Sequence, residues 1–270
     1  MALLAAPVVV ADDFNLITAR GSLSLGSFLN ASNLKIRVNQ LESTDDLDPG
    51  FRNPFFDWSN TLGNPNVVRF RLDGLWRISN KHHLRFMWTD YSLTRSATLQ
   101  KDVAWGSDVI EVGADVRGKH GFSVTEVAYE YAFRSDENLE LALTAGLHYT
   151  TFLAQLTSEV STPEGELTGT LGGKASVDVP LPVFGGRALW RIGGDFYLDA
   201  MAQWFALSIQ GYSGSLVNYR GSVTWQPQQW LGIGLSYDYF GTNLDVRKRD
   251  FNGSVDWSYS GPQLFLNIGF

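Results

Sequence analysis

The stretch that decides the fold reads VRFRLDGLWRISNKHHLRFMWT, residues 68–89. In its first eleven residues, every second position is apolar or glycine, and the positions between are Arg69, Arg71, Asp73, Leu75 and Arg77. After a short polar turn at 79–83 the alternation resumes. A period of two puts successive side chains on opposite faces of a β-strand, whereas a helix would mix the two classes. We therefore predict two antiparallel strands joined by a tight turn.

The same unit of two alternating runs and a short turn recurs three more times. The other short turns lie near residues 134–138, 193–195 and 226–229. Longer segments rich in Gly and Asp separate the pairs near 41–66, 95–120 and 153–179, with shorter ones near 210–214 and 243–252. The pattern thus predicts tight turns at one end of a sheet and longer loops at the other.

The two faces of these runs differ sharply in chemistry. One is almost entirely aliphatic and aromatic, and the other carries Arg69, Arg71, Asp73, Arg77, Arg85, Glu126, Glu130, Glu140, Arg187, Arg191, Asp199, Arg220 and Asp238. A soluble β-sandwich also alternates, but it has no reason to sort its loop lengths by end. In lipid every backbone group must be paired within the protein, so strands cross only as a closed barrel. We predict an all-β, closed, antiparallel up-and-down transmembrane β-barrel with its apolar face outward.

The strand count from residue 33 onward is ten, an even number as in single-chain bacterial barrels. Residues 20–29 also alternate, but the apolar phase switches across 30–33. A bulged first strand keeps ten strands, whereas an extra N-terminal pair makes twelve. A second phase change at Gly261 and Pro262 predicts another bulge, since proline cannot donate to a ladder.

Composition excludes several other classes of protein. The 270 residues are 44% hydrophobic, yet the mean hydropathy is −0.09, and no stretch reaches the ~18 apolar residues of a membrane helix. The absence of cysteine excludes disulfides, thiolate catalysis and thiolate metal sites. A net charge of −7 argues against a nucleic-acid partner.

Aromatic residues cluster near the predicted strand ends. Trp76, Trp190, Trp225 and Trp230 lie toward the tight turns, and Trp88, Trp204, Tyr91 and Trp257 lie toward the loops. Such placement is typical of the two interfacial girdles of a membrane barrel. The alternative is a set of stacked aromatics in a core.

The C-terminal run alternates through Leu264, Leu266 and Ile268 to a terminal Phe270. It resembles the closing strand of bacterial outer-membrane barrels, which implies a signal read by the barrel-insertion machinery. The segments 26–28, 76–78 with 83–85, and 145–148 also resemble a group of uncharacterised proteobacterial outer-membrane proteins. This resemblance covers most of the chain from about residue 20. It implies a bacterial outer-membrane location, with membrane lipid and lipopolysaccharide as partners, and implies no activity or cofactor.

The N-terminal residues form a separate segment in this interpretation. Residues 1–11 are an apolar run before two aspartates and read as a partial signal peptide, or alternatively as a flexible apolar terminus. Residues 12–270 are then one barrel domain.

The predicted lumen carries nearly balanced charge, with seven arginines and six carboxylates among the named positions. A ten-stranded barrel is narrow, since eight strands are just filled by side chains and open channels appear at about sixteen. We therefore expect a lumen largely filled by ion pairs, serving a structural role or passing small solutes through a narrow channel. The inward positions Gly146, Gly232, Gly234 and Ala142 predict a local pocket or thin pore.

Catalysis is the alternative hypothesis, and the four histidines are its candidates. His82 and His83 fall in a predicted tight turn and His120 in a predicted loop, where structural or solvated roles are expected. His148 points inward and is the candidate for an enzyme acting on lipid or lipopolysaccharide, with Ser123, Ser158 or Asp238 as partners that the sequence leaves unplaced. No motif of the barrel phospholipases or omptin-like proteases is visible. We assign no catalytic residue and no cofactor.

The segment 41–66 is acidic, with Glu42, Asp45, Asp46, Asp48 and Asp57 against Arg52. It is either a solvated loop or a contact for divalent cations that bridge lipopolysaccharide phosphates. The spacing lacks the full calcium-loop pattern, so we predict no metal site.

Overall fold

Ten long strands form the wall of the molecule. The computed structural model describes residues 14–39, 53–63, 67–161, 167–209, 212–248 and 251–270. The described elements are β1 (Gly21–Val38), β2 (Phe56–Asp57), α1 (Trp58–Leu62), β3 (Val67–Arg77), β4 (His82–Thr98), β5 (Val103–Trp105), β6 (Asp108–Ile110), β7 (Asp115–Ser135), β8 (Leu139–Ser161), β9 (Leu167–Gly193), β10 (Phe196–Ile209), β11 (Tyr212–Gln228), β12 (Leu231–Lys248) and β13 (Phe251–Gly269). Among these described residues, no helix is long and apolar enough to cross a membrane.

The wall closes on itself by next-neighbour antiparallel pairing. The order is β1, β3, β4, β7 and then β8 to β13, and β13 pairs back with β1. The terminal residue lies at this seam, because the backbone N–H of Gly21 donates to the carbonyl of Phe270 and the N–H of Phe270 donates to that of Gly21. The prediction of a closed up-and-down barrel of about ten strands is confirmed, and the twelve-strand alternative is wrong.

The two bulges expected from the phase changes are absent from the ladders that β13 forms. The β1–β13 pairing keeps one register from Ser22 opposite Gly269 to Val38 opposite Gly253. The β12–β13 register is equally unbroken across residues 261–262. The apolar phase changes because the lumen itself changes from polar to apolar, so that Leu34 and Ile36 are buried on the inner face. Register shifts occur instead near the tight turns, for example between Trp225 and Gln228.

Tight turns and loops sort to opposite ends, which we call the turn end and the loop end. The turn end holds the connections after β3, β7, β9 and β11, together with the start of β1 and the C-terminal residue after β13. The turn after β9 contains Gly194 at φ 52°, a left-handed conformation that glycine adopts without steric cost.

Two of the long connections expected from composition are largely strand. β8 runs to Ser161 and β9 begins at Leu167, so segment 153–179 is mostly wall, whereas in segment 95–120 the wall strands β4 and β7 supply residues 95–98 and 115–120. β12 and β13 likewise extend into the expected loop at 243–252. Glycine and aspartate mask the inner-face alternation here, which includes the buried side chains of Leu156 and Val177. These residues give the strands an apolar core to pack against.

The loop-end half of the lumen is filled by this apolar core, which we call the loop-end core. Its buried members include Phe122, Phe240 and Trp257, whose rings lie against one another. Helix α1 contributes Trp58, and the β5–β6 hairpin contributes Trp105, whose indole N–H donates to a backbone carbonyl of β9 at 3.1 Å. Both connections therefore fold into the barrel rather than away from it.

The outer surface carries the apolar face of every long strand. The exposed side chains include six tryptophans, namely Trp76, Trp88, Trp190, Trp204, Trp225 and Trp230. Tyr91 and Trp257, expected in the loop-end girdle, instead point inward and are buried. Both follow the strand alternation without a slip, so they share the face of the lumen residues.

Candidate functional site

The turn-end half of the lumen is a layer of buried ion pairs, which we call the charged layer. Its first group joins β3 to β11 and β12. Arg71 bonds to Asp73 at 2.9 Å and to Asp238 at 3.1 Å, and Arg220 bonds to Asp73 at 2.8 Å. Arg71 and Asp73 face the same way because they are two residues apart on one strand. Charge-assisted hydrogen bonds of this kind are strong, and here they tie strands from opposite sides of the seam.

The second group joins β3 to β7, β8, β9 and β10. Arg77 forms a two-pronged pair with Glu140 at 3.1 and 3.2 Å. Arg187 bonds to Asp199 at 2.6 Å and to Glu140 at 3.1 Å, and lies 3.5 Å from Glu130. A single arginine thereby serves three carboxylates, each on a different strand.

Arg85 on β4 connects the two groups. Its guanidinium lies 3.4 Å from Glu130 and 3.9 Å from Asp73. Within the described residues, its Nε atom has no hydrogen-bond partner. The charged layer is therefore continuous around the barrel, although its pairing is loosest at Arg85.

The charged layer includes a histidine that the sequence placed elsewhere. His83, expected in a tight turn, is the second residue of β4 and is fully buried. Its ring nitrogens lie 4.0 Å from Glu130 and 3.9 Å from Glu140. His82 is also within β4 but is exposed, against the rings of Tyr129 and Tyr131. Extending the alternation of β4 backward from Arg85 would have placed His83 on the inner face and His82 on the outer face.

A second buried histidine lies between the charged layer and the loop-end core. His148 Nε2 is 3.1 Å from Glu126 Oε2, without the alignment of a hydrogen bond. Glu126 accepts from the side chain of Gln203 at 2.6 Å, and Gln203 accepts from Asn218 at 2.9 Å. The ring of Phe240 stacks over His148 from the apolar side. The arrangement orients a buried carboxylate through two amides.

The serine and aspartate partners considered for His148 are engaged or directed elsewhere. Ser123 is on the outward phase of β7, and Ser158 donates to the carbonyl of Asp115 near the loop end. Asp238 is bonded to Arg71 and to Ser236. Across the described residues, no hydrogen bond or ion pair joins any of these three candidates to His148.

Two arginines assigned to the lumen charge network belong to neither of the two groups described above. Arg69 is buried, but its guanidinium lies over the ring of Tyr91 at 3.8 Å and near Trp257 and Tyr259. Such cation–π contacts suit the edge of the apolar core. Arg191 lies at the turn end, where its Nε donates to the carbonyl of Gly194 at 2.8 Å. Sequence alternation gives the face of a residue but not its depth along the strand.

The space expected beside the three inward glycines is filled by their neighbours, whereas Ala142 borders an open depression that Phe133 and Leu143 also line. Gln226 occupies the space in front of Gly232, the ring of Phe265 that in front of Gly234, and Ala128 that in front of Gly146. A small cavity of about 70 Å³ lies elsewhere in the charged layer, bounded by side chains that include Arg77, Arg85, Arg187 and Arg220. This volume holds a few water molecules at most.

Residues 14–20 lie across the turn end of the lumen, and we call this segment the cap. Leu16 borders the small cavity, and Leu16 and Ile17 are buried against Leu189 and Tyr197. Arg77 of the charged layer donates to the carbonyl of Ala19 at 3.0 Å. The lumen is thus bounded by the cap at one end and by the loop-end core at the other.

The remaining candidate residues give no further site. His120, expected to be solvated in a loop, is buried in β7 between the rings of Trp58 and Tyr91. Asp57 caps α1 by accepting from the N–H of Asn60 at 3.0 Å, and the other acidic residues of segment 41–66, like residues 1–11, fall outside the described residues. In the described ranges, no group of three histidines or carboxylates is placed to hold a metal ion.

Comparison with solved structures supports the fold through one match, OmpT, and finds weaker likenesses to two other proteins. The outer-membrane protease OmpT from Escherichia coli matches with a TM-score of 0.57 at 12% identity, over 93% of this chain and 96% of that one. The toluene transporter TodX of P. putida matches with a TM-score of 0.37 at 8% identity, over 95% and 92%. Ail, the attachment invasion locus protein of Yersinia pestis, matches with a TM-score of 0.33 at 11% identity, over 92% and 98%.

No family model and no curated protein sequence matches the chain. The structural likeness to OmpT concerns the fold alone. A closed barrel of this fold with an apolar outer surface is an integral protein of the bacterial outer membrane.

Proposed function

We propose that this protein is a closed, non-conducting outer-membrane barrel with a structural role. One observation carries the proposal: the inner face is occupied at successive depths by buried side chains. The cap, the charged layer and the loop-end core follow one another along the lumen. A solute path would have to cross all three.

The energetics of the charged layer support a permanent filling over a selective pore. Burying ions costs several kcal/mol each, and only close pairing with further hydrogen bonds offsets this cost. Arg71 and Arg187 each meet that condition with two or more carboxylates. Moving Arg71 aside for a solute would take the closest cation from Asp238, and moving Arg187 would take it from Asp199.

Single-channel recording in planar lipid bilayers tests the proposal. We expect no current steps from the refolded full-length chain. A variant lacking residues 14–19 should also fail to conduct, because the loop-end core still fills the lumen. A general porin in the same bilayer is the control for detection. Current steps from the intact chain would instead support a narrow channel, and steps from the truncated variant alone would make the cap a gate; either result refutes the structural proposal.

We also propose that the C-terminal strand is the signal for the barrel-insertion machinery and that the protein belongs to the proteobacterial group it resembles. Supporting the first point, Leu264, Leu266, Ile268 and Phe270 are all exposed on the outer surface. The six exposed tryptophans are proposed to form the interfacial girdles, in contact with membrane lipid and lipopolysaccharide.

A further inference from the structure

We propose that the cap at the turn end is released by acid, through protonation of His83. This inference concerns access to the charged layer and goes beyond the non-conducting role, since the loop-end core stays in place. Three contacts join the histidine to the cap: His83 to Glu140, Glu140 to Arg77, and Arg77 to the carbonyl of Ala19, which belongs to the cap.

The cap is held to the barrel by few polar bonds. The backbone N–H of Leu16 donates to the Tyr197 hydroxyl at 3.1 Å, and the Asn15 side chain donates to the carbonyl of Glu137 at 2.9 Å. Arg77 supplies two more, from its guanidinium to the carbonyl of Ala19 and from its backbone N–H to the carbonyl of Arg20, and the Tyr197 hydroxyl donates to the carbonyl of Phe14 at 3.4 Å. A short segment without regular secondary structure opens at lower cost than the wall, whose strands are paired along both edges.

Arg77 depends on a single carboxylate. Its Nε and Nη2 atoms both donate to Glu140, and its Nη1 atom donates to Ala19. Arg187, by contrast, is paired with Asp199 and Glu140 and lies near Glu130. If Glu140 is drawn toward another cation, Arg77 is therefore the arginine that loses its position.

His83 is placed to draw Glu140 away. It is fully buried, and neither ring nitrogen has a hydrogen-bond partner within the described residues. Buried polar atoms without partners are rare and call for a reason. Separations of 3.9 and 4.0 Å to two carboxylates are too long for hydrogen bonds. An imidazolium has two donors, one for each carboxylate, whereas neutral imidazole has only one.

The charges around His83 are balanced while it is neutral. Glu130 from β7 and Glu140 from β8 face it directly; these carboxylates are paired with Arg77 from β3, Arg85 from β4 and Arg187 from β9, and Arg187 is also paired with Asp199 from β10. These are three guanidinium groups and three carboxylates. An imidazolium adds a fourth cation in a site shielded from water, where like charges repel strongly.

Arg77 relieves this excess by moving toward the water at the turn end. On that side Arg77 contacts the backbone of the cap. Among the bonds of the described residues, its one carboxylate partner is Glu140, on the other side. The Ala19 carbonyl then loses its donor, and Leu16 and Ile17 become accessible. Because burial disfavours the charged imidazolium, release is expected only on the acidic side of the ordinary imidazole range, below about pH 6.5.

Cysteine labelling of the full chain folded in detergent micelles tests the proposal. The sequence has no cysteine, so Leu16→Cys introduces a unique thiol on the buried side of the cap. Thr18→Cys, exposed on the same segment, corrects for the effect of pH on thiol reactivity. We expect the ratio of maleimide labelling rates, Leu16→Cys over Thr18→Cys, to rise several-fold from about pH 7.5 to about pH 5.5.

Matched histidine variants assign the effect. His83→Gln should abolish the rise, whereas the adjacent, exposed His82→Gln should retain it. Arg77→Gln should give a high ratio at both pH values, because the tether is already lost. A flat ratio in the wild-type background, an unchanged rise in His83→Gln, or a low ratio in Arg77→Gln would each overturn the proposal. A flat ratio in the wild-type background refutes acid release even if a variant fails to fold.

Discussion

Replacing Arg71 in the charged layer should destabilise the barrel far more than replacing an arginine in an equivalent surface pair. Arg71 is 1% exposed and donates four hydrogen bonds, three to Asp73 and one to Asp238. After Arg71→Met, Asp73 keeps Arg220 at 2.8 Å. Asp238 keeps only the Ser236 hydroxyl and Arg220 at 3.8 Å. Breaking a buried pair from one side costs about 3–5 kcal/mol, because it leaves an uncompensated charge.

The chain offers a matched control with the same residue types and spacing. Arg134 and Asp136 are also an arginine and an aspartate two residues apart, with a 3.1 Å bond, but their side chains are 58% and 46% exposed. Exposed pairs contribute little, since water and salt screen them. Arg134→Met should leave the free energy of unfolding unchanged within error.

Urea unfolding in detergent micelles, followed by tryptophan fluorescence, measures both variants. The double variant Arg71→Met with Asp238→Asn should be less destabilised than the sum of the single variants by at least about 1 kcal/mol, because it removes the orphaned charge. If Arg71→Met is no more costly than Arg134→Met, the lumen is hydrated enough to screen its charges. Additive single effects would likewise refute direct coupling between the two residues.

Two further predictions concern the outer surface and the closing seam. Quenching by brominated lipid should fall in Trp76→Phe, because that ring is exposed on the outer wall, and should be unaffected by Trp58→Phe, whose ring is buried inside; the reverse result would place the apolar face inward. Phe270→Ala should lower the yield of barrels assembled in cells and barely change the stability of refolded protein, because the seam to Gly21 is made by backbone atoms. Phe133→Ala, which truncates another exposed aromatic near the turn end, should leave assembly normal; equal losses would argue against a C-terminal signal.

Sequence reasoning recovered the wall of this molecule because a strand has a period of exactly two residues. The alternation from Val68 to Thr89 gives both strands, their turn and the face of each side chain without knowledge of any neighbour. It also places Arg71 and Asp73 together, since residues two apart share a face. The same rule, extended backward along β4 from Arg85, places His83 inside and His82 outside.

That rule predicts neither how far along the barrel axis a residue lies nor which side chains it contacts. Trp257 and Leu34 looked like lipid-facing residues after a phase slip, because hydrophobicity alone does not tell lipid from an apolar lumen. The composition of segment 153–179 suggested a loop, although its alternate residues pack into the loop-end core. Arg191 shares a face with Arg187 and yet lies outside the two groups of ion pairs, because it is four residues nearer the turn end of β9.

By itself, the sequence determined a barrel of about ten strands with an apolar exterior and an ionic interior, since these follow from local periodicity and from the need to pair every backbone group in lipid. The tertiary structure alone decided which strands meet at each depth. That register brings Arg71 to Asp238 across the seam, Arg77 to Glu140 and the cap, and the rings of the loop-end core into one cluster. Pairings between residues far apart in the chain depend on closure, which no local pattern encodes.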